Sequence, residues 1–418
     1  MINRLAMLSV HTCPLATLGG KETGGMNVYV RDLSRELSRR GLYVDVYTRS
    51  QNPDIPRVTS LADRARVIHV KTGPEAPYNK NDIYHHLPEF VAGMTAQAQA
   101  DGIRYDLMYS HYWLSGLAAD VLRLEWRIPF AQMFHTLAEM KNRVARTPAE
   151  REPERRHQCE QDLMGLADRL VAATIAEKKE MVEFYGANPE KISIIPPGVD
   201  LDRFRSMDQA QARAYLGMPP GHQMILFVGR IQPLKGIDTL IRALALVKEQ
   251  EPTLAKNLCL CLIGGDPNPD SELERAELAR LRALEAELEL GDLVTMLGAK
   301  EQDTLVYYYA AAEMVVMPSH YESFGMVALE AMACGTPVIA SDVGGLSFNI
   351  EDGYNGYLVA GRDPKALAEK IILLLRYRVL RDQLADQAKI WVARYSWPTI
   401  ADELLEMFAQ TQAVYAAG

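Results

Sequence analysis

The chain has 418 residues, a formal net charge of −9, and 48% apolar against 24% charged residues. That length exceeds one ordinary core, so two domains are expected, and the composition is that of a foldable globular protein. The acidic balance argues against a general nucleic-acid binder, whose footprint is basic, while leaving room for a local basic pocket.

The chain opens on an apolar run over residues 5–10, which reads as a strand. No basic segment followed by a long apolar one precedes it, as a secretory leader would require. A glycine-rich loop leads into a predicted helix over 26–40. Predicted strands follow at 44–48, 107–110, 130–134, 169–173 and 192–195, with helical stretches between them. Pro196-Pro197-Gly198-Val199-Asp200 then breaks the pattern, because two prolines end regular structure. A second series of strands is predicted at 224–228, 258–263, 294–297, 314–317, 338–340 and 357–359. Strand–helix alternation twice over predicts two doubly wound α/β domains. The expected division is 1–200 and 201–395, with 396–418 a helix that packs back on the first domain. No apolar run approaches the ~20 residues needed to span a bilayer. Five cysteines without a Cys-x-x-Cys pair or zinc spacing fit a reducing, cytoplasmic compartment, and Cys259 and Cys261 read as small buried hydrophobes within a strand.

Six groups of residues stand where chemistry is expected, beyond the carboxyl ends of parallel strands. Gly19-Gly20-Lys21-Glu22-Thr23-Gly24-Gly25-Met26-Asn27 follows the first strand and opens the first helix. Glycines let backbone approach a ligand, and a helix start offers free N–H groups to an anion. It is neither the dinucleotide fingerprint nor a Walker loop. Gly229-Arg230-Ile231-Gln232-Pro233-Leu234-Lys235-Gly236 places two cations after a strand, which suits a diphosphate. Each cation–phosphate contact at ~4 Å is worth about 4 kcal/mol at an effective dielectric of 20. Glu322 is expected in a strand-to-helix loop and Glu330 about two turns into a helix over 324–334, and carboxylates suit sugar and ribose hydroxyls. Gly264-Gly265-Asp266 and Gly344-Gly345 are further strand-end turns, and His135 ends a strand. Solvated surface charges and ordinary glycine turns are the structural alternatives for each group alone.

Together these residues resemble the retaining glycosyltransferases of the GT-B architecture, family 4, over essentially the whole chain. The resemblance implies two Rossmann-like domains facing a central cleft. It implies that Arg230 and Lys235 neutralise a nucleotide diphosphate and that Glu330 binds ribose. Glu322, with the backbone at Phe324 and Gly325, would hold the donor sugar. Gly24, Gly25, Gly229 and Gly265 would line the donor site, and His135 would touch the sugar near its C6 hydroxyl. In the first domain, Ser9 to Leu15, Gly24 to Val30, Ser110 to Gly116 and His135-Thr136 resemble the D-inositol-3-phosphate glycosyltransferases of mycothiol biosynthesis. That subgroup implies Asn27, Lys80, Tyr112, Thr136 and Arg156 as acceptor contacts, with Arg155 an equal candidate for the last. Cys13, where the subgroup has Ser, and residues 17–23 depart from its pattern. Sucrose-phosphate synthases, which use fructose 6-phosphate, are a related subgroup.

The expected reaction moves a hexose from a nucleotide sugar, UDP-glucose or UDP-N-acetylglucosamine, to a small phosphorylated acceptor such as inositol phosphate. Configuration is retained by same-face attack, with a donor phosphate oxygen taking the acceptor proton. No metal or other cofactor is expected to be required, because the two cations stand in that role. A homodimer is implied by resemblance alone. The rival readings are transfer of glucose to fructose 6-phosphate, a catalytically silent sugar-nucleotide-binding protein, and a nicotinamide oxidoreductase.

Overall fold

Runs such as Leu5-Ala6-Met7-Leu8 and Met314-Val315-Val316-Met317 lack polar alternation, which marks strands buried on both faces. In the computed structural model of the protein these residues are fully or almost fully enclosed. The structure describes residues 2–16, 24–76, 78–266 and 272–417. It divides into two units. One comprises Gly25–Gly198, the strand before it, and the helix Trp397–Ala417 after it; the other is Val199–Ser396.

The first unit carries an eight-stranded sheet. Its strands are β1 (Arg4–Leu8), β2 (Tyr43–Arg49), β3 (Val58–Ala62), β4 (Ala65–Val70), β5 (Leu107–His111), β6 (Phe130–Met133), β7 (Arg169–Ala172) and β8 (Ile192–Ile194). Their order is β3-β4-β2-β1-β5-β6-β7-β8, all parallel except β3, which runs antiparallel to β4. Sequence reading placed no strand between β2 and β5. The run over β4 is interrupted by Arg66 and His69, and Arg66 is there because it pairs across the sheet with Asp45 of β2, at 2.7 Å.

The second unit holds β9 (Gln223–Val228), β10 (Leu258–Ile263), β11 (Val294–Gly298), β12 (Met314–Met317), β13 (Val338–Ser341) and β14 (Tyr357–Val359). All pair in parallel, in the order β11-β10-β9-β12-β13-β14. Each sheet packs helices against an apolar core, one built around Phe90, Trp113 and Phe130, the other around Phe227, Leu260 and Ile339.

The last helix belongs to the first unit by specific contacts. Phe408 meets Tyr109 edge-on at 5.2 Å and Trp397 meets Tyr29 at 5.5 Å. Arg40 binds the Asp402 carboxylate and donates to the carbonyl of Pro398 at 2.6 Å. Gly198 makes room for the indole: a Cβ there would lie 2.5 Å from the Trp397 ring. Among the described residues, no helix is long and apolar enough to cross a membrane.

Candidate functional site

In the second unit the chain leaves β9 for β10 and β11 on one side, then returns to place β12 on the other. Such a reversal opens a crevice beyond the strand ends, and four predicted loops meet there. Lys235 ends the short turn Pro233–Lys235 after β9, and its ammonium binds the Glu322 carboxylate in the loop after β12. Both side chains keep some exposure, 16% and 15%. Arg230 is half-buried and forms no ion pair among the described residues.

Backbone geometry holds this group together. Gly264 adopts φ +131°, and a Cβ there would lie 1.9 Å from the carbonyl oxygen of Gly229, so the turns after β9 and β10 touch main chain to main chain. Gly344, at φ +48°, stands against the loop after β12: its Cβ would lie 2.1 Å from the Glu322 carbonyl oxygen. No side chain fits either place. The Gly345 N–H donates to that same carbonyl at 2.8 Å, and Asn349 Nδ2 donates to the Phe324 carbonyl at 2.6 Å. Gly265 accepts from the Ala299 N–H at 3.1 Å.

The helix after this loop is Met326–Ala333, two residues later at its start and one shorter at its end than expected. Phe324 and Gly325 stay in the loop because Gly325 takes a left-handed conformation, φ +91°, that ends the approach and starts the helix. Glu330 therefore sits one turn in rather than the two expected, because the helix starts later, and it is buried. Its carboxylate accepts from the Tyr309 hydroxyl at 2.7 Å and from Gln302 Nε2 at 3.4 Å. Burial and then the Glu330 charge push the Tyr309 hydroxyl well above its usual range, so it stays a donor.

In the first unit, the predicted acceptor residues lie after β1, β4, β5 and β6. Asn27 donates to Thr12 Oγ1 at 2.6 Å and to the Cys13 carbonyl at 2.7 Å, which ties the helix Gly25–Arg39 to the loop after β1. Tyr112 is buried at φ +74°, and its hydroxyl has no hydrogen-bond partner among the described residues. The Arg156 guanidinium lies over its ring, 4.6 Å from the centroid. Arg156 is fully enclosed. It donates to Glu160 at 2.7 Å, to the Thr136 carbonyl at 2.6 Å and to Thr136 Oγ1 at 3.1 Å. Arg155 turns the other way, toward His85 and the ring of Tyr84.

Three cations converge on a single atom, Glu152 Oε1: Lys80 at 3.7 Å, Arg156 at 3.1 Å, and Lys141 in direct contact. Burial alone would raise the Glu152 carboxyl; Arg156, Lys80 and Lys141 outweigh it and hold the group well below the ordinary carboxylate range. Burial pushes the Lys141 ammonium down to about 8, with repulsion from Lys80 added and Glu152 opposing both. Lys80, Lys141 and Arg156 face Glu152 and Glu160, so three positive charges meet two negative ones. Sequence reading missed Lys141, Glu152 and Glu160. The available signal was Lys141 on the helix Ala138–Val144 that directly follows Thr136.

His135 also holds a left-handed conformation, φ +62°, and Nδ1 of His111 lies 3.0 Å from its Nε2. Such non-glycine conformations cost about 1–3 kcal/mol each and persist where surroundings enforce them. Burial lowers the His135 pKa to about 3, so the ring is neutral.

The structure thus brings Lys235, Glu322, Phe324, Gly325, Gly229 and Gly265 together in one unit, and Tyr112, Thr136, Arg156 and Lys80 in the other, where Asn27 bonds the loop after β1 and His135 meets His111. Gly24 and Gly25 stand at the start of the first helix. Gly19 to Thr23, and the divergent loop at 17–23, lie outside the described residues. Among the described residues, no cluster of three or more His, Cys, Asp or Glu side chains could hold a metal ion.

Residues 23–203 match the family model of Glycosyltransferase Family 4, and residues 208–391 that of Glycosyl transferases group 1. A D-inositol 3-phosphate glycosyltransferase of Nocardiopsis dassonvillei is 40% identical over 407 residues, covering 97% of this chain and 94% of that protein. One from Nocardia farcinica is 42% identical, covering 97% and 89%. The structure of a sucrose-phosphate synthase from Thermosynechococcus elongatus superposes with a TM-score of 0.90 at 35% identity, covering all of both chains. An Anabaena protein in complex with UDP-glucose shares the fold, with a TM-score of 0.73 at 21% identity, over 97% of this chain and 99% of that one.

Proposed function

We propose that this chain, which belongs to the GT-B glycosyltransferases of family 4, moves a hexose from a UDP-sugar to a small phosphorylated polyol, with retention of configuration. The observation that carries the acceptor half is the ring of Lys80, Lys141 and Arg156 around one carboxylate oxygen. It lies in the same cluster as Thr136 and the Tyr112 hydroxyl, which has no hydrogen-bond partner among the described residues. An oxygen held by three cations is what a bound phosphate presents, and cation-to-oxyanion hydrogen bonds are the strong ones. In this reading Arg156 rather than Arg155 reaches the acceptor phosphate.

On the donor side, Lys235 and Arg230 stabilise negative charge growing on the leaving diphosphate, which is transition-state electrostatics. Glu322 holds sugar hydroxyls, and Glu330 holds the ribose. Because Lys235 and Glu322 pair with each other, the diphosphate draws Lys235 away from Glu322 as the sugar hydroxyls take its place. A donor phosphate oxygen removes the acceptor proton, so no carboxylate nucleophile is needed. The cations supply the positive charge that a metal would otherwise bring.

The test is UDP release from UDP-glucose and from UDP-N-acetylglucosamine, each with inositol phosphate, fructose 6-phosphate, or no acceptor. Release that requires inositol phosphate supports the reading. Release that requires fructose 6-phosphate favours a second one, transfer to a sugar phosphate, which the full-length likeness to the Thermosynechococcus enzyme supports. Absence of release in every combination would overturn both.

A further inference from the structure

The histidines at the ends of β5 and β6 form a pair whose hydrogens can be placed. His111 Nδ1 and His135 Nε2 are 3.0 Å apart, so one ring donates and the other accepts. Burial lowers both pKa values, which keeps both rings neutral. The far nitrogen of His111, Nε2, is buried with no hydrogen-bond partner among the described residues. Its ring is packed edge-on against Tyr29 and Tyr109.

Two arrangements satisfy the contact. If His111 Nδ1–H donates, the unpartnered Nε2 of His111 is a bare lone pair. If His135 Nε2–H donates instead, His111 must carry its own proton on Nε2, and that N–H is buried with no oxygen or nitrogen to receive it. Orphaned buried N–H groups are rarer than under-used acceptors, and an aromatic ring is at best a weak substitute.

We propose that His111 is a positioning residue that fixes His135 as its Nδ1–H tautomer, so that His135 offers a hydrogen-bond donor to a hydroxyl oxygen of the transferred sugar. The sugar-facing role rests on the reading of His135 given above; the tautomer does not. The free imidazole of histidine favours the opposite form, with the proton on Nε2, so the assignment leaves a distinct mark. The surroundings reinforce it. Tyr29 packs edge-on against both rings, at 5.4 and 5.2 Å, which fixes their mutual orientation. His135 itself holds a left-handed backbone, φ +62°, while its Nε2 meets His111 at 3.0 Å.

Nitrogen NMR of the histidine-labelled full chain reads the tautomer directly. The expected spectrum has His135 protonated on Nδ1 and bare on Nε2, with a coupling across the bond from His111. Two variants separate positioning from packing. In His111→Asn the amide nitrogen replaces Nδ1–H, so His135 keeps its tautomer and kcat stays within about threefold of the parent value. In His111→Phe the ring shape survives but the donor is lost; His135 drifts to the Nε2–H form, and kcat falls roughly ten- to hundredfold while the acceptor KM holds. A parent protein with His135 protonated on Nε2 would overturn the proposal. So would Asn and Phe variants that match in both tautomer and kcat. The expected tautomer in a protein that turns over no nucleotide sugar would uphold the positioning and overturn the sugar-facing role.

Discussion

The two units assemble their candidate sites by different means. In the second, the loops after β9, β10, β12 and β13 are locked main chain to main chain, at places such as Gly264 and Gly344 where no Cβ fits. In the first, the site is held by charged and polar side chains: Arg156 reaches two carboxylates and Thr136, and Glu152 gathers Lys80 and Lys141. A backbone-locked site gives a fixed frame and leaves a few side chains free to meet ligand. A site built of long charged side chains is tuned by its neighbours and can be retuned. Under the proposed function, that contrast suits a donor common to many reactions and an acceptor peculiar to one.

The strongest break of the donor frame is Lys235→Ala. It should lower turnover about 1000-fold, the loss expected when a donor to developing charge is removed, and steady-state UDP release measures it. Near-normal turnover in a folded variant would sink the proposed role. The matching break in the acceptor half is Arg156→Met, which leaves Glu160 and Glu152 without their shared partner. Removing one member of a buried ion network should cost about 3–5 kcal/mol, read as a lower urea midpoint. Gly344→Ala tests the backbone lock. Its Cβ must displace the Glu322 carbonyl, and a misplacement of about 1 Å should cost roughly 100-fold in kcat.

Smaller effects sharpen the contrast. Burial lowers the Lys141 pKa to about 8, so the ammonium loses most of its charge as the pH rises through that value. The kcat/KM for a phosphorylated acceptor should therefore fall roughly tenfold as the pH rises from about 7 to about 9, whereas donor binding should not follow it. Lys141→Arg should move that limb upward, because a guanidinium stays charged. The smallest expected effect is that of a chelator: treatment with EDTA followed by UDP release should leave turnover unchanged.

The same contrast explains what could be read from the sequence. A backbone lock needs glycine at fixed places in one short stretch, so Gly264-Gly265, Gly344-Gly345 and the Lys235 and Glu322 loops stood out as linear motifs. All six strands of the second sheet and six of the eight in the first were legible, since strands buried on both faces are continuous apolar runs. Strand β4 was not, because Arg66 and His69 interrupt it for the sake of partners elsewhere in the chain. Glu152 and Lys141 escaped for the same reason: their meaning lies in contacts with each other and with Lys80 that no local spacing records. His111 was noticed only as part of a motif, and its pairing with His135 needed the alignment of β5 with β6.

The first unit begins near residue 4 and is finished by the helix Trp397–Ala417. During synthesis, the pocket for Trp397 between Gly198 and Tyr29 is therefore made some two hundred residues before the indole that fills it emerges. The nascent first unit must wait with that apolar surface open while the whole second unit is translated. The helix Trp397–Ala417 thus acts as a latch on a unit made much earlier, and a ribosome that stops short of it releases a protein with that unit left unclosed.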